Sequence, residues 1–140
     1  MALALAPAAC TGDEERAGAP APRTPEQVVR EWSRQLNRGD DLAAADLFAM
    51  GARIEQSGFV LRIRTRQDAY DWNHGLPCSG SIVALDVRGN EATATFVLSD
   101  RETSPCDGPG AHVTAVFTVQ AGKIVRFRQL EREAPPDGTV

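Results

Sequence analysis

The residues of this chain with most to offer chemically are three cysteines, two histidines, one tyrosine and two tryptophans. Cys78 follows a helical stretch and Cys106 lies in a long loop. In an exported chain two such thiols pair as a disulfide rather than stay free, which leaves Cys10 as the odd cysteine. A zinc alternative would join His74 and Cys78 to Cys106 and His112. Its spacing fits no common ligand pattern, and neither pair is C-x-x-C, so the disulfide is expected and a metal site is not. Tyr70 and His74 lie one helical turn apart and share a face. Such a pair can bind a polar ligand or relay a proton, or simply cap a helix end. Trp72 lies between them and, with them, is a candidate for lining a ligand pocket. Glu55 reads as a solvated strand carboxylate. His112 alternates with Thr114 and Thr118, opposite Val113, Ala115 and Phe117, which places it at the surface. Arg126 and Arg128 share a strand face with Ile124 and suit a wet face or a dimer contact. There is no nucleophile elbow, phosphate loop or dinucleotide fingerprint. Gly108-Pro109-Gly110 does not lead from a strand into a helix, so it is loop punctuation. No cofactor is implied.

These residues must be positioned by elements that the sequence marks clearly. Thr24 is a good N-cap, Pro25 suits the first helical position, and Gln27 completes a capping box. Val28, Val29, Trp32 and Leu36 then form one apolar stripe, so Trp32 is expected in the core. Gly39 ends the helix. Asp40 or Asp41 caps a second, short helix whose buried side is Leu42, Ala45, Leu47 and Phe48. Gly51 breaks it, and a first strand follows from Ala52. Gly58 to Ile63 finishes a hairpin or forms a short second strand. Thr65 with Asp68 starts a third helix, Arg66 to His74, which Gly75 and Pro77 stop. Four strands bounded by turns come next: Ser81 to Arg88 alternating through Val83, Leu85 and Val87, then Glu91 to Ser99, Ala111 to Gln120, and Lys123 to Leu130. Helices first and then a meander of strands predict an α+β domain, with helices packed on one face of a curved antiparallel sheet.

A capped helix ending N-R-G-D, followed by A-A-A-D-L-F-A and a strand opening G-A-R-I-E, resembles the nuclear transport factor 2-like superfamily. That superfamily includes the SnoaL-like polyketide cyclases and the ketosteroid isomerases. The resemblance runs from Thr24 to Glu131 and implies a cone-shaped fold with a pocket between helices and sheet. It also implies where an isomerase would carry its general base: an Asp at the end of the first strand, in a motif like V-E-D-P. The matching residues here are Ile54-Glu55-Gln56-Ser57. Gln56 holds the base position, and an amide cannot take a proton at neutral pH, so Gln56 becomes a pocket candidate rather than a catalyst. Strand alternation sends Glu55 to the opposite face.

At 140 residues the chain supports one domain with a real core. Nineteen acidic and fifteen basic residues give a net charge of −4 with no basic face, which argues against nucleic acid as a partner. Residues 1–23 read as a signal-like segment and disordered tether, 24–131 as the domain and 132–140 as a flexible tail. Met1 to Ala9 is a short apolar run before Cys10 and resembles the end of a bacterial lipoprotein signal peptide, with Cys10 as the lipid attachment site. Pro7 stands where that motif usually has Leu, and no Lys or Arg precedes the run. A true start upstream of Met1 would account for the missing charge. The expectation is an exported domain of the cell envelope, lipid-anchored or secreted, touching the membrane only through its anchor. Its cone would bind a small apolar or amphipathic molecule or a protein partner, and its sheet offers a homodimer contact. The rival reading is a small cyclase, isomerase or dehydratase-type enzyme using Glu55, Tyr70 or His74. The balance of residues favours binding over catalysis.

Overall fold

The computed structural model describes residues 21–132. Helix α1, Pro25–Asn37, opens with the Thr24 capping box in place: the Thr24 hydroxyl accepts from the Gln27 amide and the Gln27 side chain returns to Thr24 N. Its stripe of Val28, Val29, Trp32 and Leu36 is buried. Helix α2, Asp41–Ala45, is a single turn capped by Asp40. Strands β1, Phe48–Gln56, and β2, Phe59–Arg62, form a hairpin. Helix α3, Arg66–His74, carries the expected Thr65–Asp68 capping box. The remaining strands are β3, Ser79–Arg88; β4, Glu91–Ser99; β5, His112–Gln120; and β6, Lys123–Gln129.

The six strands make one sheet in the order β2-β1-β6-β5-β4-β3. Every pair is antiparallel except β1 with β6, which run parallel. The sheet is therefore mixed, not wholly antiparallel as alternation and turn signals suggested. Turn residues explain the hairpins. Ser57 and Gly58, at φ 52° and 82°, and Ala121 and Gly122, at 51° and 78°, fill two-residue turns whose positive φ matches strand twist.

Three register shifts interrupt the alternation: in β1 between Phe48 and Arg53, in β3 between Ile82 and Ala84, and in β6 opposite Thr118 and Val119. Each bulge bends the sheet and re-aims the residues beyond it. They account for several departures from simple periodicity. Gly51, at φ 92°, does not break a helix but sits inside β1 at the bulge. Val83 is exposed, while Ile82 and Leu85 are half-buried. Ile124 is fully buried and Arg126 and Arg128 are exposed, so the three do not share a face. Leu42 is also exposed, because α2 stops after one turn and packs through Asp41, Ala44 and Ala45.

The helices cover the concave face. Beneath them Ala92, Ala94, Phe96 and Leu98 of β4 meet Val113, Ala115, Phe117 and Val119 of β5, with Phe127 of β6 and Ile54 of β1 alongside. An aromatic cluster occupies the centre. Trp32 packs edge-on against Phe117 at 5.2 Å and stacks on Trp72 at 6.4 Å, and Trp72 meets Phe127 at 4.9 Å. No helix of the described residues is long and apolar enough to cross a membrane. Cys10 and the tail after Arg132 lie outside the described residues.

Candidate functional site

Where α1 and α3 diverge over the curved sheet, they leave a cavity of about 850 Å³. Trp32 and Leu36 line it from α1, Trp72 from α3, Gln56 from β1, and Phe96, Val113, Ala115 and Phe127 from the sheet floor. Its mouth is formed by the Ser57–Gly58 turn, Phe59, and the chain leaving β6 through Glu131 and Arg132.

One wall is tied together by amides. Asn37 Nδ2 donates to the Gly80 carbonyl at 2.9 Å while Gly80 N donates to Asn37 Oδ1 at 3.2 Å. Ser33 Oγ reaches the same carbonyl at 3.4 Å. These bonds lash α1 to the start of β3. A side chain at Gly80 would put a Cβ only 2.7 Å from the Val97 carbonyl oxygen, so glycine is required for this approach.

The opposite wall carries a second polar chain. Trp72 Nε1 donates to Gln56 Oε1 at 3.1 Å, and Gln56 Nε2 donates to Gln129 Oε1 at 2.8 Å. Gln56 thus turns inward and Glu55 outward. On the outer face Glu55 accepts from Arg126 at 2.8 Å and from Arg53 at 3.0 Å. The hydrogen bond from Arg126 holds the Glu55 carboxyl below the ordinary carboxylate range, against a smaller opposing effect of desolvation. The carboxylates that line the cavity, Asp71, Asp107 and Glu131, are all exposed.

Tyr70 and His74 do not line the cavity. Their rings stack at 5.4 Å on the outer side of α3, and His74 Nδ1 lies 2.8 Å from Asp41 Oδ2. Behind them stands an ion pair that periodicity could not reveal. Arg101, in the β4–β5 loop, is buried and pairs with the buried Asp41 carboxylate. Its Nη1 also donates to the carbonyls of Asn73 and Leu76, both at 2.8 Å, and of His74 at 3.3 Å. One guanidinium thereby satisfies the orphan carbonyls at the end of α3 and anchors the start of α2. Arg101 carried no sequence signal, because a lone Arg in a loop reads as solvated.

Cys78 and Cys106 form a disulfide with Cα atoms 4.5 Å apart. It pins the β4–β5 loop to the cavity rim. Asp107 Oδ1 lies 3.3 Å from Cys78 Sγ, but a bridged sulfur has no proton to donate and is no thiolate for a metal. His74 and His112 do not gather with these cysteines, so the zinc alternative has no basis among the described residues.

No protein-family model matches the chain and no curated protein matches its sequence. Solved structures do match in shape. A candidate polyketide cyclase from Sinorhizobium meliloti aligns with a TM-score of 0.59 at 20% identity, covering 74% of this chain and 93% of that one. A nuclear transport factor 2-like protein of unknown function from Cytophaga hutchinsonii gives 0.63 at 10% identity, covering 81% and 92%. A candidate ketosteroid isomerase from Kribbella flavida gives 0.62 at 21%, covering 81% and 83%. At such identities the likeness is one of fold, and the fold is the nuclear transport factor 2-like α+β cone.

Proposed function

We propose that this nuclear transport factor 2-like domain binds a small apolar or amphipathic molecule in the cavity between helices and sheet. The observation that carries the reading is the pair Glu55 and Gln56. The residue turned into the cavity at the end of β1 is an amide, and the carboxylate beside it points outward into an arginine pair. An amide can hold a ligand but cannot take a proton from it at neutral pH. The floor is apolar and aromatic, as small-molecule sites usually are. Names of structural neighbours keep a cyclase or isomerase-type enzyme as the alternative, and its discriminator is a base inside the cavity.

Titration with the neutral dye Nile red tests the binding reading. Saturable binding with quenching of tryptophan emission is expected, because Trp32 and Trp72 both line the cavity. Ala115→Phe, which fills the floor, should abolish it. Turnover of a model β,γ-unsaturated ketone by the wild type, lost in Glu55→Gln, would overturn binding in favour of catalysis.

We further propose that the domain works outside the cytoplasm, anchored through a lipidated Cys10 or secreted. The Cys78–Cys106 disulfide supports this, since such bonds persist in oxidising compartments. Intact mass of the protein from the host's membrane fraction is the test. An unmodified chain retaining Met1 would refute lipidation.

A further inference from the structure

The hydrogen-bond chain on the cavity wall has a direction, and the direction is set at one end. An indole N–H can only donate. Trp72 Nε1 therefore requires an acceptor, and Gln56 must present its carbonyl oxygen. That turns the Gln56 amino group toward Gln129, which in turn must present its own oxygen. The free end of the chain is then the Gln129 amino group, a donor. No acceptor engages it among the described residues, and it is not a buried orphan. Gln56 also keeps its second amino hydrogen, since a primary amide has two.

The other polar side chains of the inner wall are engaged. The Trp32 N–H is bound to Asn73 Oδ1 at 2.7 Å, and Ser33 and Asn37 are bound to Gly80. What remains unspent on the inner wall is amide N–H. Among the described residues no cation lines the inner wall to hold an anion. The lining charges are at the exposed mouth, where Asp71, Asp107 and Glu131 outnumber Arg132.

We propose that Trp72, Gln56 and Gln129 form a directional relay that selects an uncharged, largely apolar ligand carrying an acceptor oxygen such as a carbonyl or ether. Gln129 and Gln56 contact the oxygen; Trp72 is a positioning residue that forbids the flipped amide arrangement. This rests on the binding reading above and specifies the ligand that reading leaves open. A ligand whose only polar group is a donor would face N–H against N–H, and a carboxylate would meet an acidic mouth with no counter-charge beyond it.

The test compares two probes of equal shape, methyl naphthyl ketone and isopropenylnaphthalene, which differ only in C=O against C=CH2. Calorimetric titration of the wild type should favour the ketone about tenfold, the worth of one net hydrogen bond. Gln129→Glu keeps an oxygen to accept from Gln56, removes one of the two donors and sets a carboxylate oxygen facing the ligand, so the preference should fall at least severalfold or invert. Trp72→Phe frees the amides to flip and should reduce the ketone-to-alkene ratio while alkene binding persists. A merely structural Trp72 would weaken both probes and leave their ratio unchanged. Equal binding of both probes to the wild type would overturn the relay and leave the binding reading standing. Binding of neither would sink both.

Discussion

Trp32 on α1 and Asn73 on α3 are joined inside the core by a 2.7 Å hydrogen bond from the indole N–H to Oδ1, across 41 residues of sequence. Asn73 is fully buried, donates to the Ala69 carbonyl, and offers its own carbonyl to Arg101. It is the polar joint between the two helices that wall the cavity. Asn73→Ala should cost about 1–3 kcal/mol for the stranded indole N–H, and Trp32→Ala about 3–5 kcal/mol for the lost ring. Chemical denaturation of each variant measures both. An Asn73→Ala protein as stable as the wild type would refute the joint.

The Arg101–Asp41 pair should show the asymmetry of buried charge. Arg101→Met alone leaves the Asp41 carboxylate uncompensated and is expected to cost about 3–5 kcal/mol, and the added Asp41→Asn should recover part of that loss. Thermal melts of the three variants read the difference. A double variant no more stable than Arg101→Met would count against the pair as the cause.

The disulfide closes a loop with a sequence separation of 28. Chain-entropy reasoning gives about 3.5 kcal/mol for a loop of that size. Reduction, or a Cys78→Ala/Cys106→Ala variant, should lower the melting temperature clearly. It should also weaken Nile red binding, because Cys78 and Asp107 belong to the cavity lining.

Acid should loosen the outer face. Glu55 and Asp46 both sit below their ordinary carboxylate range, held there first by hydrogen bonds from Arg126 and Arg66 respectively. A carboxyl depressed in the folded state contributes stability above its unfolded pKa, and that contribution is lost as pH falls through the folded value. Melting temperature should therefore drop below about pH 4, where ordinary carboxylates titrate. Glu55→Gln should flatten part of that drop and leave ligand binding unchanged. A variant whose acid limb matches the wild type would show that the arginine pair contributes nothing.

Much of the fold was written in local signals. The capping boxes at Thr24 and Thr65 set two helix starts to the residue, because a hydroxyl and its partner three positions on act within one turn. The place of Gln56 at the cavity came from the resemblance, which sets it at the base position, and alternation then turned Glu55 outward. The sheet's parallel pair and its bulges were not legible. Gly51 reads as a helix breaker until Phe48 and Arg53 are seen paired with Ile124 and Arg126 of β6. The site was half legible for the same reason. Gln56 and Trp72 line the cavity, but their partner Gln129 comes from 73 residues beyond Gln56. Tyr70 and His74 satisfied helical spacing, yet that spacing says which residues share a face and not which face is covered.

The parallel seam between β1 and β6 bears on how this protein can be made. Strands β3, β4 and β5 can pair in sequence order, each beside the one before. Among the described residues the β1–β2 hairpin joins the sheet only through β6, so it has no place there until Lys123–Gln129 is available. Vectorial assembly from the N-terminus is closed to such a chain, and non-local pairing of this kind is slow. A product cut short before Lys123 loses the dock for the β1–β2 hairpin as well as one strand, and the buried Phe48 and Ile54 lose their β6 partners Ile124 and Phe127. Strand β6 is thus the closing element: the cone is complete only once Lys123–Gln129 is in place.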